Sequence, residues 1–561
     1  LEINSRLILY IYIYGLLIFL CALLLVKHLR DVLTNNMPPG PFPLPLVGNF
    51  INIGFNHVDQ IAERYGDVST LYLGNKPCIL LTGYESFKEA FVEQADIFTD
   101  RPYFPIMQKK LYCSNQIQYW QNRNHFRSKI DLCPLHSVCV GLIMSSGHMW
   151  RQQRRFALAT LKYFGVGKKT LENFILQDEI QKSEATLKIW DFFKHFDLIT
   201  LFFSFFIVFL GLPFDPQHFV TDAVANIICG LVFGHRFEYD DHNFHLMQKY
   251  LDEFLQLPIS NWGRLYNQFP TLMSMLPGKH QTAFASISKL KPFLQEEIRK
   301  HKEERDPSNP RDYIDCYLEE IEKDSEAEFT EDNLMYCVVD LFGAGTETTS
   351  NTLRWALLFM IKYPEVQEKV QSEIDQVIGQ TRQPLMDDRT NLPYTYAVMH
   401  EIQRFANIVT FTPPRMANKD TTVGGRLIPK VILFLRHVPY SIYVNESATS
   451  VGLSQGVVVM PLLKSILQDK NEYSTPYEFN PAHFLDENGK FLKKDSFIPF
   501  SIGKRMCPGE QLARMELFLF FTSLMQCFTF LPLEGFMKVQ KNRTISVSSG
   551  PEPFQIRAVP R

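Results

Sequence analysis

The stretch from Phe500 to Glu510 constrains this chain most, because it places a cysteine immediately before an apolar helical segment. That segment runs from Gln511 to Phe528, and Cys507 lies at its start. A thiol there meets unpaired backbone N–H groups and the positive end of the helix dipole, which favour thiolate over thiol. The pattern predicts an anionic sulfur ligand, although a buried, inert cysteine is the simpler interpretation of an isolated case.

The residues around the cysteine favour the ligand interpretation. Gly503 and Gly509 lack a Cβ, so the backbone can turn sharply and a flat cofactor can approach the sulfur. Arg505 lies two positions before Cys507 and is a suitable donor to a carboxylate of that cofactor. Together with Phe500, these residues match the pattern F-x-x-G-x-R-x-C-x-G at every defined position. The chain therefore resembles the cytochrome P-450 superfamily of haem-thiolate monooxygenases, whose known chemistry rests on a cysteine thiolate bound to haem iron.

The resemblance implies a fold and a cofactor. The expected fold class is mainly α with a small β lobe, the cytochrome P-450 fold, built as a single catalytic domain. The expected cofactor is haem b, iron protoporphyrin IX, with Cys507 as the iron ligand. Residues 67–82 alternate apolar with small or polar side chains and predict short strands of the small sheet.

Further residues match positions where the family binds the haem propionates. They are Arg101, the pair Trp150 and Arg154, and Arg415 after two prolines. The i, i+4 spacing puts Trp150 and Arg154 on one helix face, and an indole N–H and a guanidinium are suitable donors to a buried carboxylate. The same region is basic, which by default indicates a solvated face. In the family this face receives an acidic flavoprotein, NADPH-cytochrome P-450 reductase, and cytochrome b5 is a further expected partner.

A long helix is predicted between Thr330, a helix cap followed by two acids, and Pro364, a helix stop. Two glycines inside it, Gly343 and Gly345, predict a local opening, because each costs about 1 kcal/mol in a helix. The family pattern A-G-x-E-T is matched here, and the resemblance assigns catalytic roles to Glu347 and Thr348. Thr348 would bond to dioxygen or water, and Glu347 would feed protons inward. Close helix packing through small residues is the alternative.

A structural ion pair is predicted from Glu401 and Arg404, spaced i, i+3 on one helix face. A buried pair needs further partners, and the chain has His483 where many members of the family have arginine. His483 would be a weaker and pH-sensitive donor. Residues 408–413 are expected to line the substrate pocket.

The N-terminal residues predict a membrane anchor. Residues 7–26 carry no charge and would form a helix of about 30 Å, the thickness of the hydrocarbon core of a bilayer. Lys27, His28 and Arg30 follow this span, which places the remainder on the cytosolic side. A proline-rich connector follows, as in microsomal members of the family. We expect an anchor and linker over 1–37, a monooxygenase domain over 38–561, contact with membrane lipid, and residence in the endoplasmic reticulum membrane.

Composition excludes other classes of protein. With 561 residues, of which 46% are hydrophobic, the chain can bury one large core or two ordinary ones. A net charge of −3, without zinc-finger or interleaved basic and aromatic patterns, argues against nucleic-acid binding. Ten cysteines without a C-x-x-C pair indicate neither a zinc ribbon nor a dense disulfide framework.

Three stretches depart from the family, at about 111–139, 182–210 and 431–455. The sequence on either side of each joins smoothly when the stretch is skipped, which indicates retained non-coding sequence or misjoined exons. Elsewhere the sequence most resembles family 2, and in particular its J-type members, which oxidise polyunsaturated fatty acids and drugs.

The resemblance implies a monooxygenase that uses dioxygen and NADPH-derived electrons to hydroxylate or epoxidise an apolar substrate. One alternative is a haem-thiolate isomerase that acts on peroxides without a reductase. Another is a product impaired by the three stretches, with at most haem or lipid binding.

Overall fold

The computed structural model describes residues 37–45, 47–49, 58–74, 76–108, 141–166, 212–323, 329–430, 456–533 and 546–561, with Tyr10 and residues 12–16, 18–19, 22–23, 25–26 and 32. The three atypical stretches, 111–139, 182–210 and 431–455, lie outside these residues. Within the predicted anchor, the described residues are helical, and residues 7–9, 11, 17, 20, 21 and 24 are outside the description. Across all the described positions, no helix combines the length and apolar character needed to cross a bilayer. The predicted anchor is therefore not confirmed.

The chain divides into two compact units. The first contains residues 1–103, 411–465 and 502–505, and the second contains residues 104–410, 466–501 and 506–561. The division concerns compactness, and the single catalytic domain over 38–561 stays a prediction.

The strands of the first unit are β1 (Val68–Leu73), β2 (Lys76–Leu81), β3 (Arg415–Met416), β4 (Thr421–Val423), β5 (Arg426–Ile428) and β6 (Val458–Pro461). Four of them form a sheet in the order β1-β2-β6-β3. β1 and β2 pair antiparallel, which confirms the strands predicted over 67–82, and β2 pairs parallel with β6. Their apolar side chains are buried at nearly every position, as expected for strands covered on both faces. β4 and β5 form a separate hairpin. The helices of this unit include α1 (Val58–Tyr65) and α2 (Tyr84–Lys88), which continues into a π-turn at Glu89–Glu93.

The second unit is helical. Its helices are α3 (Pro105–Gln108), α4 (Gly147–Tyr163), α5 (Gln217–Phe233), α6 (His242–Leu255), α7 (Asn261–Gln268), α8 (Pro270–Met275), α9 (Lys279–Glu304), α10 (Tyr313–Lys323), α11 (Glu331–Lys362), α12 (Pro364–Val377), α13 (Pro393–Ala406) and α15 (Glu510–Cys527), and α14 (Leu463–Leu467) lies where the chain passes from the first unit into the second. 3-10 turns span Met386–Asn391 and Pro481–Phe484, and β7 (Phe528–Pro532) pairs antiparallel with β8 (Ile556–Pro560). The mainly helical fold with small sheets agrees with the prediction.

The long helix α11 forms where its end signals place it. The hydroxyl oxygen of Thr330 accepts a hydrogen bond from the backbone N–H of Asn333 at 3.1 Å, which caps the first turn. Pro364 then begins the next helix. Between these ends every residue from Thr349 to Ile361 is buried, and the apolar ones belong to the largest apolar core of the described residues.

The predicted ion pair of α13 is confirmed. Glu401 and Arg404 are fully buried, and two guanidinium nitrogens donate to the carboxylate at 2.6 Å each. His483 is the third member, with Nδ1 3.2 Å from Glu401 Oε2. The backbone N–H of Thr475 donates to His483 Nε2 at 3.2 Å, so that nitrogen is an acceptor and Nδ1 carries the proton. His483 therefore donates to Glu401 as the neutral tautomer.

Candidate functional site

The loop before α15 holds Cys507 by a tight backbone turn. The Cys507 N–H donates to the carbonyl of Phe500 at 3.0 Å. The Phe500 ring also lies 5.1 Å from the guanidinium of Arg514, one turn into α15. α15 begins at Glu510, so Cys507 lies just before its first turn, as predicted.

Most of the groups around the sulfur of Cys507 favour its anionic form, but burial and the charge of Glu510 oppose them. Burial raises the pKa of the thiol, while hydrogen bonds from the backbone N–H groups of Gly509 and Glu510 and the charge of Arg154 lower it. The backbone N–H groups at the helix start thus act in the predicted direction, burial opposes them, and the thiolate role of Cys507 stays a prediction. A thiol that coordinates a metal ion is deprotonated by the charge of that ion. The donors around the sulfur would then already be in place.

Trp150 and Arg154 lie together on α4, as their spacing predicts. The guanidinium of Arg154 lies 5.9 Å from the centre of the Trp150 ring, which is 3% exposed. Arg154 Nη2 donates to the carbonyl of Met506 at 2.6 Å. Burial lowers the pKa of Arg154, and the nearby Cys507 opposes that change. α4 thus brings a tryptophan and a cation to the cysteine loop.

In the first unit, the structure gathers Arg101, Arg415 and Arg505. Arg101 Nη1 donates to the carbonyls of Pro413 and Pro414 at 2.7 and 2.9 Å. Arg505 and Arg415 are 7% and 3% exposed. Arg505 Nε donates to the carbonyl of Thr99 at 2.7 Å, and the Arg415 guanidinium lies 3.8 Å from the Phe91 ring centre. Three guanidinium groups, two of them buried and that of Arg101 partly buried, are a suitable donor set for the carboxylates of a haem.

The two glycines of the cysteine motif differ in conformation. Gly503 has a φ of +78°, and a Cβ there would lie 1.8 Å from the backbone oxygen of Phe91. Gly509 has a φ of −90°, and a Cβ there would lie at an ordinary 3.9 Å from Cys507 Sγ. Gly503 is thus required by the protein's own backbone. A role for Gly509 in cofactor approach stays a prediction.

α11 carries Glu347 and Thr348. The helix continues without interruption through its glycines, so the predicted local opening is not a break in the helix. A Cβ on Gly345 would lie 2.6 Å from Ile228 Cδ1 of α5, which supports the packing interpretation for that residue. Ala344 is exposed although Phe342 and Gly343 before it are buried, and its carbonyl accepts from the Thr348 hydroxyl at 2.7 Å.

The carboxyl group of Glu347 is held by residues near the C-terminus. Burial raises its pKa to about 7, the nearby Asp252 of α6 adds to the rise, and hydrogen bonds from Ser546 and from the backbone N–H of Ser548 oppose it. A carboxyl group that titrates near neutral pH is suited to proton transfer. Neither Ser546 nor Asp252 was predicted from the sequence. No local pattern marks either residue, because each reaches Glu347 only through the fold.

Residues 408–413, predicted to line the substrate pocket, have backbone partners in the structure. The Ile408 carbonyl accepts from the Ser549 N–H at 2.8 Å, and the Thr412 N–H donates to the Pro461 carbonyl at 3.1 Å. Their pocket role stays a prediction.

Comparison with known proteins covers nearly the whole chain. The model of the family described as Cytochrome P450 matches residues 38–129, 128–445 and 449–558. The chain is 41% identical to cytochrome P450 2J2 of Homo sapiens over 554 residues, which are 98% of this chain and 95% of that protein. It is 41% identical to cytochrome P450 2J3 of Rattus norvegicus over 543 residues, 96% of this chain and 93% of that protein. It is 37% identical to cytochrome P450 2C23 of Rattus norvegicus over 541 residues, 94% of each chain.

Proposed function

This chain belongs to the cytochrome P450 family and is a cytochrome P450 monooxygenase, and we propose that it hydroxylates or epoxidises apolar substrates such as polyunsaturated fatty acids or xenobiotics. Family membership implies a haem cofactor, dioxygen, a small-molecule substrate and a reductase as electron donor. The proposal specifies haem b and NADPH-derived electrons. The observation that carries it is Cys507, which lies before α15 with two backbone N–H groups and Arg154 at its sulfur.

The proposed haem site uses the donor sets described above. Cys507 would be the iron ligand, within the turn formed by Phe500, Gly503 and Gly509. Trp150 and Arg154 would donate to propionate oxygens, as would the second set of donors, Arg101, Arg415 and Arg505. When bound, the haem supplies the redox chemistry that activates dioxygen, and thiolate ligation favours cleavage of the O–O bond.

Glu347 and Thr348 are proposed to manage protons. The Thr348 hydroxyl donates to the carbonyl of Ala344, which is an exposed residue, and it would donate to dioxygen or water in place of that carbonyl. Glu347 is the next residue along the helix, and its pKa of about 7 lets it both hold and release a proton at neutral pH. Glu347 would thus feed protons that Thr348 directs.

The proposed function includes redox partner proteins and a location in the cell. Arg151, Arg155 and Lys162 are exposed on α4 and would attract an acidic flavoprotein, NADPH-cytochrome P-450 reductase, with cytochrome b5 as a second donor. The N-terminal residues 1–37 would anchor a single catalytic domain, residues 38–561, to lipid of the endoplasmic reticulum membrane. That domain would face the cytosol.

An absorption spectrum and an electron-dependence assay test the proposal together. The purified chain, reduced under carbon monoxide, should show the strongly red-shifted Soret band of thiolate-ligated haem. With reductase and NADPH it should convert linoleic acid to hydroxylated or epoxidised products. The band without NADPH dependence, but with rearrangement of a fatty-acid hydroperoxide, would identify an isomerase instead. A chain that binds no haem would be the impaired product.

A further inference from the structure

Residues 546–551 lie along one face of α11. We call residues 546–551 the C-terminal strap. Side chains of α11 spaced i, i+4, i+7 and i+8 all contact it, which is the spacing of a single helix face. Asn351 Nδ2 donates to Ser548 O at 3.0 Å, Arg354 Nη2 donates to Pro551 O at 3.0 Å, and Trp355 Nε1 donates to Ser549 O at 2.9 Å.

Glu347 is the first member of this face, and the strap reaches its carboxyl group. The Ser546 hydroxyl donates to Glu347 Oε1, and the backbone N–H of Ser548 donates as well. Ser546 is 8% exposed, so its hydroxyl is held in place beside the carboxylate rather than moving in water. The backbone donor at Ser548 is independent of the side chain at 546. The hydroxyl contact can therefore be removed separately.

We propose that Ser546 is a positioning residue that orients the Glu347 carboxyl group and favours its charged form. The inference rests on the proposed function in one respect, that Glu347 supplies protons during oxygenation. The proposal adds a specific partner that tunes this supply from the C-terminal strap.

The direction of the effect follows from the groups around Glu347. A hydroxyl that donates to a carboxylate stabilises the charged form and lowers the pKa of the carboxyl group. Burial and the charge of Asp252 on α6 act in the opposite sense. Arg354 is the cation near Asp252, and Asp215 also acts on Arg354. With Ser546 replaced by alanine, burial and Asp252 would be less opposed, so the pKa of Glu347 would rise further.

Substitution of Ser546 should leave the strap in place. Three side chains of α11 hold the backbone of residues 548–551, and the Ser549 N–H also donates to the Ile408 carbonyl. None of these contacts uses the Ser546 hydroxyl. Ser549→Ala is a matched control on the same strap, because its contacts with Trp355 and Ile408 are made by the backbone.

Infrared difference spectroscopy measures the protonation of Glu347 directly. The carbonyl stretch of a protonated carboxyl group, assigned by its loss in Glu347→Gln, gives the midpoint of Glu347 protonation. Loss of a hydrogen bond to a charged group should move the midpoint upward by about one pH unit in Ser546→Ala. Ser546→Thr, which keeps the hydroxyl, and Ser549→Ala should retain the parent midpoint. An unchanged midpoint in Ser546→Ala overturns the inference.

Coupling of NADPH to product is the second readout. With linoleic acid as the probe, the alkaline fall in product per NADPH should shift to higher pH in Ser546→Ala by the same amount. If Glu347→Gln leaves both the yield and the pH profile of the parent, the proposed proton role of Glu347 fails, and the infrared titration still decides the role of Ser546. If Glu347→Gln loses coupling while Ser546→Ala matches the parent in both measurements, only the role of Ser546 fails.

Discussion

Replacing Gly503 by alanine should disrupt the cysteine loop through the protein's own backbone. The residue has a φ of +78°, where an alanine costs about 1–2 kcal/mol relative to the right-handed region. The new Cβ would lie 1.8 Å from the Phe91 oxygen, and real Cβ atoms stay beyond 3.0 Å, so a displacement of about 1.2 Å is required.

The loop, rather than Phe91, should make this movement. The Phe91 ring is fully buried and packs edge-on against Phe87 and Phe98, at centroid distances of 5.3 and 5.9 Å. Moving the loop weakens the hydrogen bond from Arg505 to Thr99. Overpacking of this kind costs about 1–3 kcal/mol, so Gly503→Ala should lower the free energy of unfolding by about 2–5 kcal/mol in total.

Gly425→Ala separates backbone strain from the clash. Gly425 lies in the turn between β4 and β5 with a φ of +69°, and nothing lies within 4 Å of its added Cβ. Gly425→Ala should therefore lower the free energy of unfolding only by the backbone strain, about 1–2 kcal/mol. Urea unfolding gives the free energies, and the amplitude of the ferrous carbonyl band gives haem occupancy, which should fall in Gly503→Ala alone. Equal effects of the two substitutions on both measurements would refute the close approach to Phe91.

Four further predictions follow from the site and its surroundings. Cys507→Ser should abolish the red-shifted Soret band of the ferrous carbonyl complex, because a neutral alcohol cannot replace a thiolate, and a retained band would contradict the ligand assignment. Thr348→Ala should keep the haem and the rate of NADPH oxidation but divert electrons to hydrogen peroxide, and an unchanged product yield per NADPH would argue against its proton role. Deleting residues 431–455 should raise haem occupancy and the melting temperature, because closing a shorter loop costs less entropy and the strands beside it could not pair out of register. Lower haem occupancy in the deletion variant would show that the stretch is a working part of the protein. Burial opposes protonation of His301, but the hydrogen bond and charge of Asp312 raise the pKa of His301 to about 9. The stabilisation from protonated His301 is therefore fully present below pH 6.5 and is lost as the pH rises through about 9. Relative to the parent, His301→Gln should be least stable at acid pH, and a difference in unfolding free energy that does not change with pH would contradict the pairing.

Features that depend on a few neighbouring residues could be predicted from the sequence. The cap at Thr330 and the stop at Pro364 set the ends of α11. The spacing of Trp150 and Arg154 put them on one face of α4, where they contact each other. The i, i+3 spacing of Glu401 and Arg404 likewise predicted their ion pair. These predictions succeed because helix geometry relates residues three and four positions apart without reference to the rest of the chain.

The cysteine motif shows the limit of such local reasoning. Its spacing was enough to indicate the family and to place Cys507 at a helix start. The backbone N–H groups at the helix start act on the thiol as predicted, but burial, which the motif does not show, raises the pKa of the thiol. How much water surrounds a sulfur atom depends on every element packed around it.

Only the tertiary structure identified the partners that tune the site. Gly345 accommodates Ile228 of α5, although the glycine pattern had predicted an opening in the helix. Ser546 contacts Glu347 across 199 positions, in a segment that carries no recognisable motif. The sequence contains Ser546 and Ile228, but only the fold shows that they lie beside Glu347 and Gly345. The sequence by itself therefore determined the family, the long helix and the proposed ligand, and the packing of distant segments decided which groups surround and contact the residues proposed to act there.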